Sequence, residues 1–176
     1  MDTKPNFHLE ISGRGTAKSY ALVQDIIANQ VSKTFIAYVN CPSLRMTKYI
    51  IEKVKYYGGD ETRVIPFLKV QELSGKNLIN SKLYFDDFDW NGNLKVEDIK
   101  DIKIDTYYCS SPSRKRDITE FSVETDVLAK LIEMNNGIVF KRNFINKWSD
   151  ARCIKDAKSA LTAEQFDLEY CANYLK

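Results

Sequence analysis

The sequence has few of the residues on which many metal and disulfide sites depend. It contains a single histidine, His8, among 176 residues. Its four cysteines, Cys41, Cys109, Cys153 and Cys171, lie far apart in the chain and include no C-x-x-C pair. This composition excludes a zinc site built from paired cysteine and histidine ligands, and it favours free thiols over a disulfide scaffold.

Long apolar runs and an excess of one charge are missing as well. No apolar segment approaches the ~20 residues of a membrane-spanning helix, and residues 1–10 lack the apolar core of a signal peptide. The 26 basic and 24 acidic side chains leave a formal net charge of +2, too balanced to predict nucleic-acid binding from bulk charge. We expect an intracellular protein without a membrane partner.

The remaining composition, 44% hydrophobic and 28% charged residues, is typical of one compact globular domain. Short β-rich runs alternate with helical patterns, which predicts an α/β domain with a largely parallel sheet. Pro66 places one of the strands at a sheet edge or near its own end. The predicted strands are 7–12, 34–39, 63–68, 83–85, 102–109 and 137–140, and the predicted helices are 19–28, 43–57, 96–100, 124–134 and 163–174.

A glycine-rich stretch, SGRGTAKS at residues 12–19, connects the first predicted strand to the first predicted helix. In a phosphate loop, backbone N–H groups and the helix N-terminus face a phosphate, the lysine reaches the β- and γ-phosphates, and the serine hydroxyl binds Mg²⁺. We therefore predict that Ser19 binds Mg²⁺. The residues predicted to bind the phosphates of ATP are Gly13, Arg14, Gly15, Thr16, Ala17, Lys18, Ser19 and Tyr20.

Two residues of this stretch depart from the general pattern G-x-x-x-x-G-K-[ST], because Ser12 and Ala17 stand where the pattern has glycines. Alanine at position 17 is compatible with the motif if that residue keeps helical dihedral angles. The alternative interpretation is a glycine-rich turn before a helix, with no ligand.

An acidic pair follows the strand predicted at 83–85. Asp86 would hold Mg²⁺ through water, and Asp87 would polarise the attacking water, as the acidic residues that end a buried strand do in phosphoryl-transfer sites. The alternative is a strand that runs into a polar, solvated turn.

The strand predicted at 102–109 ends in small hydroxyl residues. If it lies beside the strand that carries the acidic pair, Ser110 or Ser111 would lie near the γ-phosphate and sense hydrolysis. A serine-rich loop without such a role is the alternative.

These motifs resemble those of the large terminase subunits of tailed bacteriophages and related packaging ATPases. In that family GRGxxKS is frequent, alanine before the lysine occurs, and the acidic strand ends in Asp-Glu. Residues 161–170, LTAEQFDLEY, are similar to the L-(S/T)-x-E-x-F-x-x-E-Y segment that joins terminase ATPase and nuclease domains. The resemblance extends from about residue 7 to residue 174. Asp87 departs from it, and its shorter side chain allows slow hydrolysis or a different base.

The resemblance implies a fold and a function. Residues 1–176 would form a single P-loop ATPase domain of the additional-strand (ASCE), RecA-like type, and residues 161–174 would lead to a nuclease domain that is separate or deleted. The chain would hydrolyse ATP with Mg²⁺ and drive double-stranded DNA into a procapsid. It would act as a homo-oligomeric ring on a capsid portal, in the cytoplasm of an infected host cell.

The resemblance also implies residue roles. Arg14 would stabilise transition-state charge in cis, and Lys18 and Asp87 would be the other catalytic residues. Ser110 and Ser111, with Pro112, would couple hydrolysis to movement.

DNA contacts or trans-acting basic residues are predicted in the densest basic clusters, although solvated charged loops are the alternative. Such contacts would be independent of DNA sequence and sensitive to salt. Two other functions stay open: a P-loop nucleotide kinase, and a regulatory protein that binds nucleotide or DNA without hydrolysis. The clusters comprise Arg114, Lys115, Arg116, Lys141 and Arg142.

Overall fold

The computed structural model describes residues 5–113, 122–142 and 151–173. Within these residues five strands form one parallel sheet in the order β1-β5-β4-β2-β3. The predicted α/β class with a parallel sheet is therefore confirmed. The strands are β1 (Phe7–Ile11), β2 (Ile36–Asn40), β3 (Val64–Pro66), β4 (Ser81–Asp86) and β5 (Thr106–Ser110).

Helices cover the sheet, and several begin at side chains that accept a hydrogen bond from the first turn. Ser43 accepts from the Met46 N–H at 3.3 Å. Thr162 and Gln165 form the predicted capping box, with bonds of 3.1 and 3.2 Å. No helix within the described ranges combines the length and apolar character needed to cross a membrane. The helices are α1 (Lys18–Asn29), α2 (Leu44–Tyr56), α3 (Val96–Ile99), α4 (Val127–Met134), α5 (Ala151–Ala160) and α6 (Ala163–Cys171).

The sheet is buried on both faces, as expected for parallel strands that read as nearly continuous apolar runs. Neighbouring residues of β4 lie on opposite faces of the sheet: Tyr84 belongs to one buried cluster and Phe85 to the other. The Tyr84 side packs against α1 and α2, through residues that include Leu22 and Ile50. The Phe85 side packs against α3, α4 and α6, through residues that include Leu128.

The spatial order of the strands determines where the predicted motifs meet. β5 lies between β1 and β4, with Tyr108 opposite Leu9 on one side and Phe85 on the other. Because all strands are parallel, their carboxyl ends lie at the same edge of the sheet, where open α/β sheets bind ligands. The glycine-rich loop, the acidic pair and the serine motif therefore come together at this edge.

Two predicted strands differ in the structure. Residues 137–140 do not form a strand; a single parallel bridge joins Glu10 to Phe140, because the chain turns at Asn136 and Gly137, both with positive φ. The strand predicted from residue 102 begins only at Thr106, and helix α5 was not predicted. The strand with Pro66 is short and lies at the sheet edge, as its proline predicted.

Candidate active site

The glycine-rich loop wraps around one of its own carbonyl groups. The Thr16 hydroxyl and the Lys18 ammonium both donate to the Gly13 carbonyl oxygen, each at 2.8 Å. Gly15 has φ 73°, and Ala17 has φ 60° and ψ 30°, so both residues occupy the left-handed region. The condition under which alanine would suit the motif, helical dihedral angles at Ala17, is not met: α1 begins only at Lys18, and Ala17 turns the chain into it.

Lys18 is held in a poorly hydrated position. It is only 7% exposed. Burial lowers the pKa of its ammonium group, while the charges of Asp87, Asp86 and Glu10 oppose that shift. The negative charge of a bound phosphate would favour the protonated form of Lys18 and so oppose the effect of burial.

Asp86, at the end of β4, is joined to the loop across the sheet. The Ser19 hydroxyl approaches its carboxylate oxygens at 2.9 and 3.1 Å, although 67 residues separate the two in sequence. The Cys109 thiol donates to the same carboxylate at 3.2 Å. Burial and the neighbouring charge of Asp87 raise the pKa of Asp86, and the two hydrogen bonds and Lys18 oppose that rise.

The side chains of Ser19 and Asp86 suit Mg²⁺ better than a cation that takes all its ligands from the protein. In the described ranges, no group of three or more His, Cys, Asp or Glu side chains could hold a metal ion. Mg²⁺ keeps several waters and takes one or two carboxylates together with substrate phosphates. The adjacent Ser19 hydroxyl and Asp86 carboxylate supply that kind of donor set.

Asp87 follows at a sharp turn. Its φ of 50° and ψ of 40° are left-handed, and it begins the 3-10 turn Phe88–Trp90. Burial raises the pKa of the Asp87 carboxyl, while Lys18, Arg14 and a hydrogen bond from the Ser111 backbone lower it. A carboxylate in this setting can take a proton more readily than one in water.

A cavity of about 600 Å³ lies at the carboxyl edge of the sheet. Its wall combines loop residues 14, 15 and 17–20 with Asp87 and Ser111. The structure therefore brings to one cavity wall eight of the twelve residues predicted to bind ATP or Mg²⁺, to act in catalysis or to sense hydrolysis. The cavity has a volume typical of small-ligand sites. The wall residues that sequence reasoning missed are Pro42, Met46, Tyr49 and Trp90.

The serine motif is bonded to the turn that follows the acidic pair. The Trp90 indole N–H donates to the Ser111 carbonyl at 2.9 Å and approaches its hydroxyl at 3.1 Å. The Ser110 hydroxyl accepts from the Asp89 N–H at 3.2 Å and donates to the Ser111 carbonyl at 2.8 Å. Ser111 thus reaches the cavity wall, whereas Ser110 is fully buried behind it.

The terminase-like segment lies against the loop, an arrangement that the sequence did not predict. The Arg14 N–H donates to the Glu169 carbonyl at 2.8 Å, and its guanidinium lies 3.3 Å from the Glu169 carboxylate. The guanidinium also lies 5.4 Å from the centroid of the Trp90 ring. A Cβ atom on Gly13 would lie 1.7 Å from the Tyr170 carbonyl oxygen. Helix α6 therefore contacts the loop that would hold phosphate.

The predicted basic clusters are placed only in part. Residues 114–116 lie outside the described residues. The Lys141 ammonium donates to the Ala172 carbonyl and the Asn173 side chain, each at 3.3 Å. The Arg142 guanidinium pairs with Glu10 at 2.7 Å. Both described residues thus have partners within the chain, and their DNA contacts stay a prediction.

Searches against protein-family models and against curated proteins find no match for the chain. The fold and the cavity define an α/β protein with a phosphate-loop-like turn, an acidic strand end and a serine motif at one sheet edge.

Proposed function

We propose that the chain is an Mg²⁺-dependent ATP hydrolase of the P-loop class. The observation that carries the proposal is the 2.9 Å hydrogen bond from Ser19 to Asp86, which joins the loop to the acidic strand end. In P-loop sites the serine that follows the lysine and an acidic residue of a second strand hold the same metal ion.

The strand order supports the additional-strand, RecA-like type. In that type one strand separates the strand of the phosphate loop from the strand of the acidic pair, and β5 occupies this position between β1 and β4. Phe140 bridges to the free side of β1, where the sheet of this type continues.

The reaction would use the residues around the cavity. Ser19 and Asp86 would hold Mg²⁺, which neutralises phosphate charge when bound. Lys18 would exchange its bond with Gly13 for the β- and γ-phosphates. Water would attack the γ-phosphorus, the bond to the β–γ bridging oxygen would break, and the proton would pass to Asp87. Arg14 would stabilise the charge that develops on the transferred group.

For the biological role we propose a DNA-packaging motor ATPase similar to the terminase large subunits. It would work as a homo-oligomeric ring that moves double-stranded DNA into a procapsid, encoded by a phage and acting in the host cytoplasm. Two observations support this role: an arginine inside the loop, and the contact of the terminase-like residues Glu169 and Tyr170 with that loop. Such a contact would link nucleotide binding to movement of α6.

The test is ATP hydrolysis by the full chain, measured with and without double-stranded DNA. Lys18→Ala should lower kcat by about 100-fold or more, because it removes a cation from the developing phosphate charge. Lys33→Ala, at an exposed turn position, is the matched control and should keep the wild-type rate. Circular dichroism checks that both variants fold.

Each alternative has its own outcome. Phosphate transfer from ATP to a nucleoside monophosphate, with no response to DNA, would indicate a nucleotide kinase. Nucleotide binding without turnover would indicate a regulatory protein. Unchanged phosphate release by Lys18→Ala would contradict the site assignment itself.

A further inference from the structure

A group of tyrosines lies exposed beside the cavity. Among the described residues, Tyr20, Tyr49, Tyr56 and Tyr57 are 50%, 53%, 75% and 43% exposed. We call these residues together with Lys53 the tyrosine–lysine face. Other tyrosines of the chain are buried in the core: Tyr38, Tyr84, Tyr107 and Tyr108.

The core does not require these rings. Helix α2 is fixed to the sheet by its buried residues Thr47, Ile50 and Val54. Tyr49, Lys53 and Tyr56 follow at helical spacing on the outward side, where they form one stripe. Exposed apolar groups that lie together, rather than singly, mark interaction sites.

The rings pack against one another and not into the protein interior. The Tyr20 and Tyr57 ring centroids are 5.3 Å apart, and those of Tyr56 and Tyr57 are 4.9 Å apart, both edge-to-face. The Lys53 ammonium lies 5.2 Å from the Tyr49 ring centroid and 5.3 Å from that of Tyr56. A positive charge is thus held between two exposed aromatic surfaces.

Helix α2 is more basic than the chain as a whole. Helix α2 carries Arg45, Lys48, Lys53 and Lys55 against the single acid Glu52, whereas the chain balances 26 basic with 24 acidic residues. Glu61 neutralises Lys55 through a 2.8 Å ion pair. The remaining positive charge favours an anionic partner.

We propose that the tyrosine–lysine face binds an unpaired DNA strand. Sequence-independent binding of single strands combines cations that follow the phosphates with aromatic rings on which bases stack. The rings favour an unpaired strand, because the base faces of a duplex are already stacked on one another. The rings and cations of this face fit single-stranded nucleic acid of either kind. The choice of DNA over RNA rests on the proposed function, in which the chain acts on DNA.

The strand would lie next to the nucleotide. Tyr20 and Tyr49 line both the large cavity and the groove between α1 and α2. Tyr20 directly follows Ser19, the residue proposed to bind Mg²⁺. A strand on this face would therefore touch the wall of the ATP site, and each ligand should change the affinity of the other.

The test is fluorescence anisotropy of a labelled oligonucleotide of about 12 thymidines, within the size range of single-strand sites, with the full chain and no nucleotide. Tyr56→Ala should weaken binding about 10-fold, as expected for the loss of one stacked base. Tyr56→Trp should bind at least as well as wild type, because the ring and not the hydroxyl is required. Lys53→Gln should weaken binding and reduce its dependence on salt concentration.

The controls separate this proposal from the proposed function. Ile79→Ala removes a large apolar side chain that is 82% exposed and lies outside the face, and it should leave binding unchanged. Tyr56→Ala should keep the ATP hydrolysis rate measured without DNA. Oligonucleotide binding by a chain that does not hydrolyse ATP would contradict only the proposed hydrolase.

Three results would overturn the inference. One is unchanged oligonucleotide affinity in both Tyr56→Ala and Lys53→Gln. Another is tighter binding of a duplex of the same length than of the single strand. The third is tighter binding of an acidic polypeptide or of the matching RNA than of the DNA strand.

Discussion

Ala17 has a backbone conformation that favours glycine. Its φ of 60° places the methyl group against the neighbouring backbone, at a cost of about 1–2 kcal/mol for an L-residue. The residue lies between the loop and Lys18, the first residue of α1. The loop is therefore strained at the position where the general motif has its second glycine.

Ala17→Gly should leave the free energy of unfolding unchanged or raise it by up to about 1 kcal/mol, because relief of strain offsets the greater flexibility of the unfolded chain. Ala28→Gly is the matched control, at an exposed position within α1. It should destabilise the protein by about 1 kcal/mol, the usual cost of glycine in a helix. Urea unfolding measures both, and an equal loss of stability would show that Ala17 is not strained.

Sequence patterns identified most of the charged site residues but not the shape of the site. Lys18 and Asp86 could be found because each follows a readable strand. Trp90 could not, because its position depends on the turn after Asp87 and on its bond to Ser111. The left-handed conformation of Ala17 was missed for a similar reason: closure of the whole loop determines a single dihedral angle.

The backbone of helix α6 at Tyr170 packs directly against the backbone of the loop at Gly13, which has no side chain. A Cβ atom on Gly13 would lie 1.7 Å from the Tyr170 carbonyl oxygen and 2.4 Å from the carbonyl carbon. Both are backbone atoms, so the clash cannot be relieved by a side-chain rotation. The absence of a side chain at Gly13 thus allows the contact between Arg14 and Glu169.

Gly13→Ala should lower the free energy of unfolding by about 2–3 kcal/mol, because α6 must move away from the loop. Gly92→Ala is the matched control, since a Cβ atom there would meet no atom of the described residues within 4 Å. Its effect should stay within about 0.5 kcal/mol. Thermal or urea unfolding compares the two, and equal stabilities would contradict the close packing of α6.

Among the helices and strands, local features such as helix caps could be predicted from the sequence, whereas the pairing of strands could not. The capping box of α6 was predicted because Thr162 and Gln165 stand three residues apart. The apolar run at 137–140 was predicted as a strand, yet it contributes one bridge, because the chain turns at Asn136 and Gly137 just before it. Helix α5 was missed because three of the five apolar residues in Ala151–Ala160 are alanines, which give only a weak helical pattern.

The order of strands in space is a property of the whole molecule. It brings Ser19 to Asp86 across β5, which no local pattern could establish. It also leaves one side of β1 to the segment that carries Phe140 and Arg142. The Arg142 N–H donates to Ser12 at 2.7 Å, and its guanidinium pairs with the fully buried Glu10. This pair fastens the outer segment to the strand that feeds the loop.

The two members of this pair should differ in importance. Burial would raise the pKa of Glu10, but its contacts with His8, Arg142 and Ser12 outweigh burial and hold that pKa below its usual value. Glu10 therefore stabilises the folded chain above its unfolded pKa, and this contribution is lost as the pH falls through the lower folded value. Without Arg142, only the contacts with His8 and Ser12 would oppose burial, so the pKa of Glu10 would rise and its ionised form would stabilise the fold less.

Arg142→Met should thus cost about 3 kcal/mol at pH 7, as expected when a buried carboxylate loses its cation. Glu10→Gln should cost less, about 1–2 kcal/mol, because the Arg142 side chain is 29% exposed and can turn to water. Urea unfolding at several pH values between about 7 and 4 measures both. The deficit of Arg142→Met should shrink as the pH falls, because Glu10 then takes up a proton. A deficit independent of pH, or a larger loss in Glu10→Gln, would show that Arg142 does not stabilise the fold through the charge of Glu10.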